Sequence, residues 1–219
     1  MSLRLISFKL CPFVPRSVIL LEEKGADYDI EYVDLRNKPQ WFLDISPRGK
    51  VPLLQVDDTV LFESVAINEY LDETHPPALH PADALRRAHN RAWTEVATDL
   101  TGAQFRYSMA KSQQDADHAL AAVRESLQRL EQELGSGPFF NGPAFALVDA
   151  AFAPAFSRLS LLRAHYASPA LDGFPAVQAY AAALLARPSV ARSLPQDFDD
   201  IYHQRMRSEG TWLQAQATG

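Results

Sequence analysis

A proline-rich segment near residue 80 divides this chain into two parts of different character. Prolines occupy positions 76, 77 and 81, and a helix cannot continue through such a segment. Before it, short apolar runs typical of strands alternate with helical patterns. After it, the strand patterns stop and an alanine-rich helical periodicity begins. The sequence therefore predicts two domains, residues 1–76 and 84–219, joined by a linker over residues 77–83.

The first part shows the element order β-α-β-α-β-β-α. Strand patterns cover residues 3–8, 29–34, 51–56 and 60–62, and helical patterns cover residues 13–24, 39–45 and 64–74. Because only a short turn at Asp57-Asp58 separates the last two strands, they must pair as an antiparallel hairpin. This is the layout of a thioredoxin-like domain.

The second part is predicted to be all-α. Apolar residues recur at helical spacing between positions 116 and 134, and further helical patterns cover residues 150–163 and 176–185. Glycine and proline interrupt these patterns at residues 135–138 and 173–175. The predicted fold is thus an α/β thioredoxin-like N-terminal domain followed by an all-α C-terminal domain.

Cys11 is the single cysteine of the chain, and it follows the first strand pattern and precedes the first helix. Unpaired N–H groups and the dipole of a helix N-terminus stabilise a thiolate, and such positions lower a cysteine pKa to roughly 3.5–7.5. A lone cysteine is more often a small buried hydrophobe, but this position favours a nucleophile. Dithiol enzymes carry a second cysteine three residues later, where this chain has Val14. Disulfide chemistry here therefore needs an external thiol.

Composition limits the partners and the compartment. The net charge of −6, with acids and bases mixed along the 219 residues, argues against a nucleic-acid partner. No apolar run reaches the ~18 residues of a membrane span, and the first residues lack a signal-peptide core. A single cysteine builds no disulfide framework, and the six histidines show no metal-ligand spacing. We expect a cytoplasmic protein with no metal, no nucleic acid and no membrane contact.

Three short motifs, together with the two-domain layout, resemble the cytosolic glutathione transferases over essentially the whole chain. The segment 51–54, Val-Pro-Leu-Leu, resembles the place where a cis proline begins the third strand. The dipeptide Glu63-Ser64 resembles the one that opens the next helix and holds glutathione. The segment 145–150 resembles the capping-box motif of the long buried helix in the second domain.

The segment Cys11-Pro12-Phe13 resembles the omega class and its cysteine-type relatives, as does the stretch 34–42. The tyrosine and serine classes use a hydroxyl in place of the cysteine. One departure lies in the capping box, where Ala146 stands in place of Ser or Thr. We expect Asp149 to bond only to the backbone N–H of Ala146, at a local cost of about 0.5–2 kcal/mol.

The resemblance implies that glutathione is the co-substrate, and it assigns residues to both ends of the tripeptide. Ser64 is expected to be the N-cap of its helix and to hold the γ-glutamyl carboxylate, although a purely structural cap is the alternative. Glu63 is expected to hold the ammonium group, and Val51, ahead of Pro52, to offer its backbone N–H and C=O. From the omega resemblance alone, Lys38 is expected to hold the glycyl carboxylate.

The sequence leaves alternatives for two further parts of the site. Phe13 either packs on the tripeptide or belongs to the core, and Lys50 is a weaker candidate for the glycyl carboxylate. The second substrate, a small hydrophobic or disulfide compound, is expected between Cys11 and the first helices of the second domain. The candidates for its wall are equally consistent with core packing: Phe105, Tyr107, Met109 and Trp212.

Three functions compete. The first is an omega-like, glutathione-dependent thiol transferase or dehydroascorbate-type reductase that works through a Cys11–glutathione mixed disulfide. The second is a transferase that conjugates glutathione to small electrophiles, and the third is a non-catalytic binding protein of the stringent-starvation type. The presence of Cys11, Lys38, Glu63 and Ser64 argues against the third. The resemblance also implies a homodimer.

Overall fold

A four-stranded sheet with three helices forms the N-terminal part of the computed structural model, which describes residues 2–217. The sheet order is β2-β1-β3-β4, with β1 parallel to β2 and β3 antiparallel to both of its neighbours. The strands are β1 (Leu3–Ser7), β2 (Asp29–Tyr32), β3 (Leu53–Val56) and β4 (Thr59–Phe62). The helices are α1 (Val14–Lys24), α2 (Gln40–Ile45) and α3 (Ser64–Thr74).

This part confirms the predicted order of strands and helices, with boundaries shifted by one or two residues. The third strand begins at Leu53, directly after a Val51–Pro52 peptide bond that is cis, as predicted. The predicted hairpin of β3 and β4 is also present. Leu5 and Leu54 are fully buried and lie opposite each other in the sheet, so the two central strands form the base of the apolar core.

The C-terminal part is helical throughout the described residues. It contains α4 (Ala84–Met109), α5 (Gln113–Glu133), α6 (Leu147–Tyr166), α7 (Pro175–Leu185), α8 (Pro188–Arg192), α9 (Phe198–Glu209) and α10 (Trp212–Ala217). Helix α6 is buried along most of its length, and the rings of its Phe152 and Phe156 pack against Tyr180 of α7. The two-part fold is therefore as predicted. None of the described helices combines the length and the apolar character needed to cross a bilayer.

The start of α6 corrects the expectation for Asp149. Its carboxylate accepts a hydrogen bond from the Ala146 N–H (2.7 Å), as predicted, but also from the Phe140 N–H (3.0 Å) and the Tyr180 hydroxyl (2.6 Å). Because Asp149 is fully buried, its carboxylate needs these donors, and they tie the start of α6 to the preceding loop and to α7. Burial still raises the pKa of this carboxyl to about 6.

A buried ion pair joins the N-terminal part to the proline-rich segment. Lys24, at the end of α1, donates to the Asp72 carboxylate of α3 at 2.6 Å and to the carbonyl of Pro77. Asp72 in turn accepts hydrogen bonds from the backbone N–H groups of Leu79 and His80. These bonds hold the segment against α1 and α3, and so fix where the helical part begins.

Candidate functional site

Cys11 lies in the turn between β1 and α1, three residues before the helix begins at Val14. Its backbone N–H donates to the Phe8 carbonyl at 2.8 Å, which tightens the turn. The thiol sulfur lies 3.8 Å from the Val51 carbonyl oxygen, so the cis-proline segment faces the cysteine directly. The side chain is 8% exposed, so most of the cysteine is shielded from water.

The predicted low pKa of this thiol is wrong in its net direction. Burial raises the pKa of Cys11, because a thiolate loses more hydration than a thiol when water is excluded. The backbone N–H groups of Phe13 and Val14 act in the opposite direction, as expected at a helix start, and so do the charges of Arg158 and Arg16. The helix position therefore favours the thiolate but does not outweigh desolvation.

Two buried arginines, Arg16 and Arg158, act on Cys11 through their charges, and neither was predicted from the sequence. Arg16 donates to the Thr98 and Thr101 hydroxyls of α4 at 2.9 and 3.3 Å, and burial lowers its pKa to about 10. Arg158 of α6 donates to the Cys11 carbonyl at 3.1 Å. Neither guanidinium forms an ion pair within residues 2–217. The sequence signal for both residues was an arginine within an otherwise apolar helical segment.

A cleft of about 440 Å³ lies beside the cis-proline segment and the start of α3. It brings together five of the residues predicted for glutathione: Phe13, Val51, Pro52, Glu63 and Ser64. Arg16, Arg48, Lys50 and, from the helical part, Glu95 and Thr98 also line it. The cleft thus offers a helix N-terminus, the main chain of Val51 and both signs of charge, which suits a zwitterionic peptide.

The start of α3 differs from the expectation for Ser64. Glu63, not Ser64, is the N-cap, and Ser64 is the first helical residue. Glu63 adopts φ 69° and ψ 122°, a conformation that costs an ordinary residue about 1–3 kcal/mol. Because Ser64 already has helical dihedrals, its N–H belongs to the first turn of α3, whose N–H groups have no partner within the helix. With Ser64 as the N-cap, the helix would begin one residue later. The Glu63 carboxylate forms an ion pair with Arg48.

Lys38 is not among the residues that line the cleft. It lies exposed in the loop between β2 and α2, and its Nζ atom is close to Gly49, 3.4 Å from the place that a Cβ atom would occupy there. Lys50, the weaker candidate of the sequence analysis, does line the cleft. The structure therefore places Lys38 outside the cleft, near the loop that carries Arg48 and Lys50.

A second cavity, of about 250 Å³, is lined by Cys11, which does not line the larger cleft. The boundary between the larger cleft and the second cavity lies at Lys50 and Val51, which line both. Cys11 is close to this boundary, on the side of the second cavity. Two of the predicted wall residues, Phe105 and Met109, line it. The sequence analysis did not identify its other residues: Phe8, Leu10, Pro12, Leu35, Gln104, Arg158, Tyr202 and Arg205.

The other two predicted wall residues lie elsewhere. Phe105 and Met109 are four residues apart and share one face of α4, whereas Tyr107 lies on the opposite face. Tyr107 is buried, and its hydroxyl accepts a hydrogen bond from Ser168 at 3.1 Å. Trp212 packs against the helical core, and its backbone N–H donates to the Ala110 carbonyl at 2.8 Å. Both therefore have packing roles.

Comparisons with known proteins agree with this geometry. The family model of the glutathione S-transferase N-terminal domain matches residues 10–74, and that of the C-terminal domain matches residues 113–183. Glutathione S-transferase DHAR2 of Arabidopsis thaliana is 33% identical over 183 residues, which cover 82% of this chain and 81% of the relative. Glutathione S-transferase omega-1 of Sus scrofa is 28% identical over 211 residues, with 92% and 86% covered.

Solved structures show the same likeness. Glutathione transferase Omega 3C from Trametes versicolor superposes with a TM-score of 0.80 at 33% identity, over 90% of both chains. Rice GST1, solved in complex with glutathione, gives a TM-score of 0.83 at 28% identity, over 94% of this chain and 97% of the rice chain.

Proposed function

Because this chain belongs to the glutathione S-transferase superfamily as an omega-like member, we propose that it is a glutathione-dependent thiol transferase that works through a Cys11–glutathione mixed disulfide. The observation that carries the proposal is the position of Cys11 beside Val51, which lines both the larger cleft and the smaller apolar cavity. A sulfur in this place can accept a glutathionyl group from one side and release a second group on the other.

The reaction we propose is thiol–disulfide exchange in two steps. The Cys11 thiolate attacks the glutathionyl sulfur of a mixed disulfide, the S–S bond of the substrate breaks, and the other sulfur leaves with the electron pair as a thiolate. A second glutathione thiolate then attacks the Cys11–glutathione disulfide and releases oxidised glutathione and the Cys11 thiolate. The thiol proton of the second glutathione ends on the departing thiol. Dehydroascorbate-type reduction would use the same enzyme form.

We place the γ-glutamyl end of glutathione at the start of α3 and its cysteinyl part against Val51. The Ser64 hydroxyl and the first N–H groups of α3 suit the γ-glutamyl carboxylate. The Glu63 carboxylate would exchange its exposed partner Arg48 for the ligand ammonium, an exchange with a small energy change because surface ion pairs contribute little. Lys38 and Lys50 would attract the glycyl carboxylate.

Mass spectrometry and one variant test the mechanism. Treatment with oxidised glutathione is expected to add a single adduct of ~305 Da that maps to Cys11. Cys11→Ala is expected to abolish thiol transfer, and Cys11→Ser to lose it while gaining some conjugating activity, since a hydroxyl can orient a glutathione thiolate without trapping it. Full disulfide-reductase activity in Cys11→Ala would contradict the proposal and favour conjugation or a binding role.

Family membership supports three further parts of the proposal. We infer domains over residues 1–76 and 84–219 with a linker over residues 77–83, a homodimer, and a cytoplasmic location. Leu85 is a large apolar side chain that lies 78% exposed on the isolated chain, as expected of a surface that a second copy covers. Light scattering is expected to give about twice the 24.4 kDa mass of the chain, and the monomer mass at micromolar concentration would contradict the dimer.

A further inference from the structure

The cavity that Cys11 lines is called the second cavity below. The charge of its lining is opposite to the net charge of the whole chain. The chain carries a net charge of −6. The second cavity is lined by three cationic side chains, Lys50, Arg158 and Arg205, and no carboxylate of residues 2–217 lines it. Most of its other lining residues are apolar. A cationic, otherwise apolar cavity in an acidic protein indicates a ligand with negative charge.

Arg158 is the deepest of these charges, at 2% exposure. Its guanidinium donates to the carbonyls of Cys11 (3.1 Å) and Pro154 (3.0 Å) and lies 5.0 Å from the centre of the Phe198 ring. Carbonyl dipoles and a ring face satisfy its donors but leave its charge unpaired among the described residues. A buried cation without an anion is costly, and an anionic group in the adjoining cavity would offset that cost.

Two further groups at the second cavity have unused hydrogen-bonding capacity. Gln104 is 1% exposed, and its amide nitrogen donates to the Tyr202 hydroxyl at 3.0 Å, which leaves the amide oxygen without a partner within residues 2–217. Since the two ends of an amide are assigned from their neighbours, this free end is either an acceptor or a donor. The Arg205 Nε–H is also buried without an acceptor, although Nη2 pairs with Glu209 at 2.9 Å. Unsatisfied buried groups point to a ligand.

We propose that the second cavity takes a small aromatic acid, that is, one ring with a single carboxylate, as the group exchanged with glutathione on Cys11. This assignment rests on the proposed function, because it names the second substrate of the same reaction. A volume of about 250 Å³ is at the small end for ligand cavities and suits one ring. Phe105 and Met109 supply flat and polarisable contacts for that ring. Arg205 supplies a charge-assisted donor for the carboxylate, and the unpaired charge of Arg158 attracts it.

The chemistry of the exchange agrees with this lining. When Cys11 attacks the glutathionyl sulfur of an aryl glutathionyl disulfide, the S–S bond breaks and the aryl sulfur leaves as a thiolate. That sulfur would depart into the second cavity, where the Arg158 guanidinium stabilises its negative charge before it takes up a proton. The cations would thus act on the bound acid and on the leaving group alike.

A pair of substrates with similar shapes and different charges tests the proposal by turnover. The mixed disulfides of glutathione with 4-mercaptobenzoate and with 4-mercaptobenzamide are similar in shape and differ in charge. Each kcat/KM is divided by the uncatalysed rate with glutathione, because the two aryl thiols differ as leaving groups. We expect the acid to be preferred roughly tenfold or more. Equal normalised values in an active enzyme would overturn the proposal and leave the proposed function intact.

Two variants locate the preference. Arg205→Gln is expected to remove most of the preference for the acid by lowering kcat/KM for the acid far more than kcat/KM for the amide. The matched control is Arg207→Gln, which removes an exposed charge from the same helix outside the second cavity and should keep the preference. An acid preference that survives in Arg205→Gln would place the carboxylate elsewhere and overturn the proposal.

Calorimetry separates this proposal from the reaction itself. The probes are 4-(methylthio)benzoate and its amide, titrated into the protein with and without S-methylglutathione in the larger cleft. Tighter binding of the acid by roughly tenfold or more, lost in Arg205→Gln, would support the cavity assignment even if no Cys11 adduct forms and the proposed function fails. Equal affinities, or no measurable binding of either probe, would overturn it even if thiol transfer is observed.

Discussion

The Nη2 atom of Arg158 lies 3.1 Å from the carbonyl oxygen of Cys11, so the long buried helix of the C-terminal part contacts the turn that carries the cysteine. The same nitrogen lies 3.5 Å from the Leu10 carbonyl, and the residue before Cys11 is therefore held as well. Arg158 thus has two effects on Cys11, since it positions the backbone and its charge opposes the rise in the thiol pKa that burial causes.

Removal of the Arg158 charge is expected to raise the pKa of Cys11 further, because burial then acts with less opposition. The rate of alkylation by iodoacetamide, followed against pH, should fall several-fold near neutral pH in Arg158→Met, with its inflection moved to higher pH. Arg158→Lys keeps a charge and should lie between the two. The control is Arg163→Met on the same helix, where the guanidinium is half exposed and pairs with Asp172. An unchanged profile in folded Arg158→Met would contradict this role.

Two substitutions test where glutathione binds. Ser64→Ala is expected to raise the glutathione Kd by about 2- to 12-fold, since one hydrogen bond of about 0.5–1.5 kcal/mol is lost. Lys38→Ala should raise it several-fold, and because Lys38 lies outside the cleft lining, this effect should shrink as salt is added. Lys111→Ala, whose ammonium pairs with Glu209 outside the cleft, is the control. If calorimetry shows no change for Ser64→Ala and Lys38→Ala alike, glutathione binds elsewhere.

The parts of the site that the sequence predicted are those made by short segments. The cis-proline segment at Val51–Pro52 and the dipeptide Glu63-Ser64 are recognisable because each works through its own backbone within a few residues. Helical periodicity also separates the two faces of α4. It does not say which face meets the second cavity, and so Phe105 and Tyr107 looked equivalent before the structure placed one in the cavity and the other in the core.

The parts that the sequence missed depend on distant contacts. Arg158 meets Cys11 across 147 positions, and Tyr202 and Arg205 reach the second cavity from α9. The pKa of the thiol depends on how completely the C-terminal helices exclude water, and local sequence around Cys11 shows only the opposing effect of the helix N-terminus. Burial and long-range charge therefore had to come from the fold.

Tyr180→Phe is expected to destabilise the protein by about 1–3 kcal/mol, because it removes a buried 2.6 Å hydrogen bond to the Asp149 carboxylate. Burial already raises the pKa of Asp149 from its ordinary value of 3.8 to about 6. A raised pKa means that the folded protein binds the proton more tightly, so the stability from this group is full below pH 3.8 and is lost as the pH rises through 6. The Tyr180 hydroxyl lowers the pKa of Asp149, because it donates more strongly to the ionised carboxylate than to the neutral acid. Tyr180→Phe should therefore lower the free energy of unfolding more at pH 7 than at pH 4.

Urea unfolding at the two pH values measures this difference. Tyr28→Phe is the matched control, since its hydroxyl donates to the Glu22 carboxylate at 3.2 Å in a partly exposed place and its removal should cost less than about 1 kcal/mol. A Tyr180→Phe variant as stable as the unaltered protein at both pH values would show that the Asp149 carboxylate does not need this donor.

Glu69 is expected to stabilise the junction between the two parts in a pH range opposite to that of Asp149. Hydrogen bonds from Arg91 (2.6 and 2.9 Å) and His80 (2.8 Å) lower the pKa of this carboxyl to about 2. A lowered pKa means that the stabilisation is present above the ordinary value of 4.5 and is lost as the pH falls through about 2.

Since Arg91 is half exposed, solvent screening reduces the effect, and Glu69→Gln should cost about 1 kcal/mol at pH 7. Thermal unfolding across a pH series should show the cost shrinking towards pH 2, while Glu73→Gln, one turn further along α3 and exposed, stays within about 0.5 kcal/mol throughout. A cost for Glu69→Gln that is the same at both ends of the series would mean that the ion pair contributes nothing and that the side chain acts by packing alone.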